Sequence, residues 1–244
     1  MCKFFSLVSN GDSEPLYFNA KLRQQVKEGK LNYDPDSHTS IADYFGYKGD
    51  KEDVLNKYEY NPLTRVFTID QKNNPKDDSK DIKKFCLGLD FKLIVPELII
   101  HPIVHPFEDF SVTKVSKQDL ELLKQWKSVR DSVWNGVGDS VGKSVGKSVG
   151  DSVRDSVWNG VGDSVWNGVG KSVRDSVWTG VGKSLRDSVW AYISSFFTLE
   201  NWKYIKHEKG VNPFQSCIDL WNKGIVPSYD GKIWRLHGKN GKVI

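Results

Sequence analysis

From Lys127 to Trp190 a bulky aliphatic side chain recurs at every fourth position, and the residues between are mostly polar or glycine. The stretch is a run of consecutive tetrads, beginning Lys127-Ser-Val-Arg130, Asp131-Ser-Val-Trp134 and Asn135-Gly-Val-Gly138. The third place is Val throughout, except for Leu185. The second is Ser or Gly, the first Asp, Lys, Asn or Thr, and the fourth only Trp, Arg or Gly. A longer phrase lies above the tetrad. Lys127–Gly138 returns as Asp151–Gly162 and as Lys171–Gly182, while Asp163–Gly170 breaks the register.

A period of four overshoots the α-helix. The Val stripe would advance about 40° per tetrad and circle the axis within the array. The glycines of the array would add roughly 10 kcal/mol of helix cost, at about 1 kcal/mol each. Gly and Ser suit a disordered linker, but a linker has no reason to hold Val at every fourth place together with five Trp. The pattern therefore predicts a parallel β-solenoid in which each tetrad is one short face and a corner. Val points inward, Ser or Gly turns the corner, and the backbone pairs with the coils above and below. Coils of three or four tetrads both fit. Such stacks need capped ends, and Lys117–Trp126 and Ala191–Phe197 are placed to supply them.

The flanks alternate less regularly and read as small α+β regions. Strands are expected at Cys2–Ser9, Leu16–Asn19, Lys57–Tyr60 and Arg65–Gln71, with helices at Ala20–Glu28, Asp36–Asp43 and Lys117–Trp126. After the array, Ile218–Lys223 reads as a short helix, and Lys232–His237 with Lys242–Ile244 as a hairpin. The fold class is α+β flanking regions with a central parallel β-solenoid built from four-residue repeats. Its parts are residues 1–115, a helical cap 116–126, the array 127–194 and a C-terminal region 195–244.

Composition removes several classes. No apolar run among the 244 residues approaches the ~18 a membrane helix needs. The start lacks a secretory leader, so a cytosolic protein is expected. The net charge of +4 does not indicate nucleic-acid binding. Three scattered cysteines give neither a disulfide framework nor a zinc finger, and no cofactor or metal is expected.

The fourth place of the tetrad invites a functional reading. Trp, Arg and Gly codons interconvert by one change in the first base, and Trp and Arg are enriched at binding hot spots. The candidate binding residues are Trp134, Trp158, Trp166, Trp178 and Trp190, with Arg130, Arg154, Arg174 and Arg186. The alternative is an unconstrained position at which Trp merely covers a wall. For catalysis, Cys2 becomes an N-terminal nucleophile if Met1 is removed, although Lys3-Phe4-Phe5 follows where glutamine amidotransferases usually have Gly. His38 beside Asp34, Asp36 and Asp43 forms either an acid/base group or a cap-and-turn network. His101 and His105 have a spacing that suits metal on a helix, but Pro102 and Pro106 oppose a helix there.

Met1-Cys-Lys-Phe-Phe5, Asp36-Ser-His-Thr-Ser-Ile-Ala-Asp-Tyr-Phe45, the Asp-Ser-Val-Trp array and Pro227-Ser-Tyr-Asp-Gly-Lys-Ile-Trp-Arg-Leu-His237 together resemble uncharacterised proteins of tailed phages and prophages. The resemblance implies an accessory protein acting in a bacterial cytoplasm and transfers no catalytic residue. Two functions remain open. One is a non-enzymatic protein presenting Trp and Arg to a host macromolecule and interfering with host machinery or defence. The other is a small enzyme using residues 1–115, with the array as a spacer or a self-associating element.

Overall fold

A computed structural model describes residues 4–137, 141–152, 155–203 and 205–244, without the side chains of 136, 137, 155, 156, 176 and 178–184. The chain divides into two compact units, Met1–Ile100 with Asp155–Gly160, and His101–Arg154 with Val161–Ile244.

In the first unit, β1 (Phe5–Ser9), β2 (Asn56–Asn61) and β3 (Val66–Lys72) form an antiparallel sheet with β2 in the middle. Leu7 lies opposite Tyr58 and Phe5 opposite Tyr60, which puts a row of rings on one face. Val8 points the other way, into Phe18, Val26, Ile41, Ala42 and Leu55. Both faces of β1 are therefore covered, and all five of its residues are buried. Leu16 forms only an isolated bridge to Val8 rather than a second strand. Helix α1 (Ala20–Lys27) starts where the Asn19 side chain accepts from the Leu22 N–H. Helix α2 (His38–Tyr44) is capped in the same way by Ser37. Such caps satisfy backbone donors that the first helical turn leaves open. The short α3 (Asp50–Asp53), α4 (Ser79–Leu87) and α5 (Phe91–Ile94) complete the sequence of elements before the array.

The array is helical, which overturns the parallel β-solenoid. Helix α6 (Lys117–Val137) runs from the expected cap straight through the first tetrads. It is followed by α7 (Val141–Ser152), α8 (Asp155–Val165), a π-helical turn (Trp166–Gly170) and α9 (Lys171–Ile193). The only sheets among the described residues are small and antiparallel, and about 48% of the chain is helical. The objection from periodicity applies to an isolated helix, whereas the described Val side chains of the array from Val133 on are buried against neighbours. Across the tetrads of α7 the Val stripe turns by only about 80°, inside the roughly 100° arc that a buried face occupies. The π turn takes more residues per revolution than the α-helix. It therefore winds the stripe back where the register of the phrase breaks. Along α9 the stripe turns by about 160°, wider than one buried face, and there the helix is packed by α7, by α10 (Gln215–Asn222) and by β4 (Val226–Tyr229).

Every described third-place side chain from Val133 to Val189 is buried. Each contributes about 1.5–3 kcal/mol, more than the ~1 kcal/mol each glycine removes. Second-place serines are often buried beside them, as at Ser144, Ser148, Ser164 and Ser188. They take no solenoid corner. Instead Ser148 Oγ accepts from the Lys203 N–H, and Ser188 Oγ donates to the Pro227 carbonyl. Glycine at the fourth place makes room. A Cβ on Gly142 would stand 2.7 Å from the Trp190 indole nitrogen, and one on Gly170 would stand 3.0 Å from Trp166.

The second unit closes with β4 paired antiparallel to β5 (Trp234–His237), the turn being Asp230–Ile233. The expected pairing of Lys232–His237 with Lys242–Ile244 is present only as an isolated antiparallel bridge, His237 to Val243, while the ladder forms one step earlier, where the Asp230 carboxylate accepts the N–H groups of Lys232 and Ile233. Leu220, Ile225 and Leu236 form a core with Leu122 and Leu123 of α6.

Candidate functional site

The array and the hairpin converge on Arg130. Its Nε donates to Asp187 Oδ2 at 2.9 Å, joining α6 to α9. Its guanidinium lies 5.5 Å from the Trp134 ring centroid, 5.3 Å from Tyr229 and 5.6 Å from Trp234. These distances fall within cation–π range. Tyr229 and Trp234 are cross-strand partners and stack at 5.1 Å. Arg130 and Asp187 are buried, whereas Trp134 is 44% exposed and forms the rim. Burial raises the Asp187 carboxyl above its ordinary value against the opposing pull of Arg130. That direction follows from desolvation of a charge in a site with little water.

The other fourth-place residues do not gather at this cluster. Trp158, Trp166 and Trp190 are half-buried, and the last two lie over glycines. Arg174 is half-buried and pairs with Asp175, and Arg186 is exposed. Arg154 and Cys2 lie outside the described residues, as does the side chain of Trp178. Asp187, Tyr229 and Trp234 escape sequence reasoning. Asp187 opens the same Asp-Ser-Val-Trp word as Asp131, and nothing local marks it as the buried one. The sequence reads Val226–Gly231 as one turn, and a turn beginning only at Asp230 would have paired Tyr229 with Trp234.

His38 is buried, with Nε2 3.0 Å from the Tyr58 carbonyl and Nδ1 3.5 Å from the Asp70 carboxylate. Asp36 receives two N–H groups of Arg23, and Asp34 accepts the Asp36 N–H, which is the work of a turn network. His101 stacks on Phe196 at 3.9 Å, while His105 lies 3.3 Å from Glu108. No group of side chains among the described residues is arranged to hold a metal ion. Burial pushes the Cys86 thiol up to about 12 and raises that of Cys217 as well, so neither supplies thiolate at neutral pH.

One pair resembles catalytic machinery without its access. Ser228 Oγ lies 2.7 Å from His237 Nε2, and His237 Nδ1 lies 3.0 Å from the Gly241 carbonyl. The carbonyl can only accept, so Nδ1 carries the proton and Nε2 accepts from Ser228. Both residues are buried, and a nucleophile without an approach path cannot meet a substrate. The pair fastens the hairpin. Burial holds the imidazole below its ordinary value, outweighing the Gly241 carbonyl that favours the charged form. The sign follows. Below about pH 6.5 the unfolded chain binds a proton that the folded chain resists, so stability is full above that pH and falls beneath it. Thermal midpoints between pH 7.5 and 5 are expected to decline. The decline should flatten in His237→Gln, and an unchanged slope in that variant would place the titration elsewhere.

No helix among the described residues is long and apolar enough to cross a membrane. No protein-family model, curated protein or solved structure matches this chain.

Proposed function

We propose that the chain is a non-enzymatic accessory binding protein of phage type. Its recognition surface is the rim where the first tetrads meet the C-terminal hairpin, and its partner is a host protein in the bacterial cytoplasm whose work it obstructs. The supporting observation is the exposed indole of Trp134, set on a rigid base formed by Arg130, Tyr229 and Trp234. An aromatic side chain held in one orientation loses little entropy on binding, and Trp, Tyr and Arg dominate hot spots for that reason. Ile233, at the hairpin turn, adds exposed apolar surface.

The test is a Trp134→Ala variant of the full chain. Trp134 is exposed, so this change is mild on folding, whereas replacing all five array Trp also removes Trp190 from Gly142. Partners captured from bacterial lysate are identified, purified and titrated against both forms. Affinity is expected to fall by at least about 30-fold, the loss of a hot spot. An unchanged affinity would move recognition away from this rim.

A further inference from the structure

We propose that Asp187, Trp134, Tyr229 and Trp234 form a receptor for a guanidinium group, which the native chain fills with its own Arg130. This concerns the interior of the cluster, so it goes beyond the binding reading above and does not rest on it. The walls come from separate parts of the chain: Trp134 from α6, Asp187 from α9, and the two stacked rings from the β4–β5 hairpin. One cation touches all of them and so joins them.

The chemistry of the walls selects the ligand. Three π-faces around a buried carboxylate accept a flat, weakly hydrated cation more readily than a compact ammonium. Asp187 offers two oxygens. Oδ2 takes Nε of Arg130, no side chain donates to the buried Oδ1, and the Val141 N–H also bears on this carboxylate. A carboxylate of this kind matches the two parallel N–H groups of a planar guanidinium. The receptor therefore holds acceptor capacity that its tethered occupant leaves unused. Its ligand class is an alkylguanidinium, such as the arginine side chain of a peptide.

The array gives this site a simple genetic switch. At its fourth place Arg, Trp and Gly differ by one base, so a single change to Gly would empty the receptor and leave its walls in place. The same letter variation that fills Gly142 with the Trp190 indole would here expose a cation site.

The experiment uses the full chain carrying Arg130→Gly, with methylguanidinium as the probe. Thermal midpoints are measured from 0 to about 20 mM probe, where the denaturing action of a guanidinium salt is slight. Sodium and tetramethylammonium chloride serve as ionic-strength controls. Methylguanidinium is expected to raise the variant's midpoint saturably and to recover at least half of the loss, as ligand linkage requires. It should leave the parent unmoved, and Arg130→Gly combined with Asp187→Asn should not respond. If Arg130→Gly shows no transition alone, the appearance of one with probe supports the receptor, and Arg130→Met repeats the titration with the aliphatic stem retained. A response in neither variant beyond that of the parent would overturn the proposal.

Discussion

Arg130→Ala is expected to destabilise the second unit by about 3–5 kcal/mol at pH 7, the loss seen when one member of a buried ion pair is removed. Both side chains are nearly inaccessible, so solvent screening gives little relief. The change strands the Asp187 carboxylate among rings and aliphatic groups. Its carboxyl already lies above its ordinary value with Arg130 present, because burial dominates. Without Arg130 it rises further. Between the unfolded and folded values the folded chain then binds more protons, so stability increases as pH falls. The deficit of Arg130→Ala should accordingly shrink from pH 7 toward pH 5. Asp187→Asn retains an acceptor for Nε, and the Arg130 cation keeps Asp131 Oδ1 at 3.8 Å and the three rings, so it should lose less, about 1.5–3 kcal/mol for a charged hydrogen bond. Urea unfolding of the three proteins at several pH values separates these outcomes. A cost under about 1 kcal/mol for Arg130→Ala would mean the pair behaves as an exposed one.

Trp221→Ala should cost as much. The indole is fully buried, stacks on Tyr192 at 4.7 Å and donates to the Val104 carbonyl at 3.0 Å. Replacing a buried Trp with Ala loses about 3–5 kcal/mol, part of it through the cavity left behind. The loss also has a local form. Val104 N–H donates to the Tyr192 hydroxyl at 2.8 Å, so both backbone groups of Val104 are satisfied by rings from α9 and α10. Loss of the indole leaves a half-buried carbonyl without its partner within the Pro102–Pro106 loop. Trp221→Phe keeps the stacking and isolates that term, with an expected loss of about 1–3 kcal/mol. Urea midpoints of both variants, measured beside Trp134→Ala, decide the matter. Trp134 contributes mainly exposed surface to the fold, so a Trp134 loss equal to that of Trp221 would contradict the placement of both residues.

The contrast between these two tryptophans shows how far the sequence reached. Ala20–Lys27 and His38–Tyr44 lie where helices are expected, and Asn19 and Ser37 cap them within one helical turn. Alternation over Val66–Lys72 and the preceding strand marks the antiparallel pair for the same local reason. The tetrad also declared that its Val side chains would be buried. Whether they lie in a solenoid or in helices was not a local question. Val at every fourth place cannot keep one face of a free helix. It stays buried where the helices pack on several neighbours, as α9 does on α7, α10 and β4, with a π turn shifting phase at Trp166–Gly170.

The site followed the same division. The sequence named Arg130 and Trp134 as chemically notable, from residue type at a repeated place. It could not separate them from Arg174 and Trp178, which occupy the same words, nor Asp187 from the other aspartates. Identical words acquire different roles only when distant segments meet: Asp187 comes to Arg130 across 57 positions, and Tyr229 and Trp234 come from the hairpin. Local sequence determined the first two helices, the strands β1 to β3 and the burial of Val. Tertiary packing decided the helical form of the array and the enclosure of the Arg130–Asp187 pair by rings. Helix cost and charge desolvation are settled by what surrounds a residue, and in a repeat the neighbours in sequence are everywhere alike.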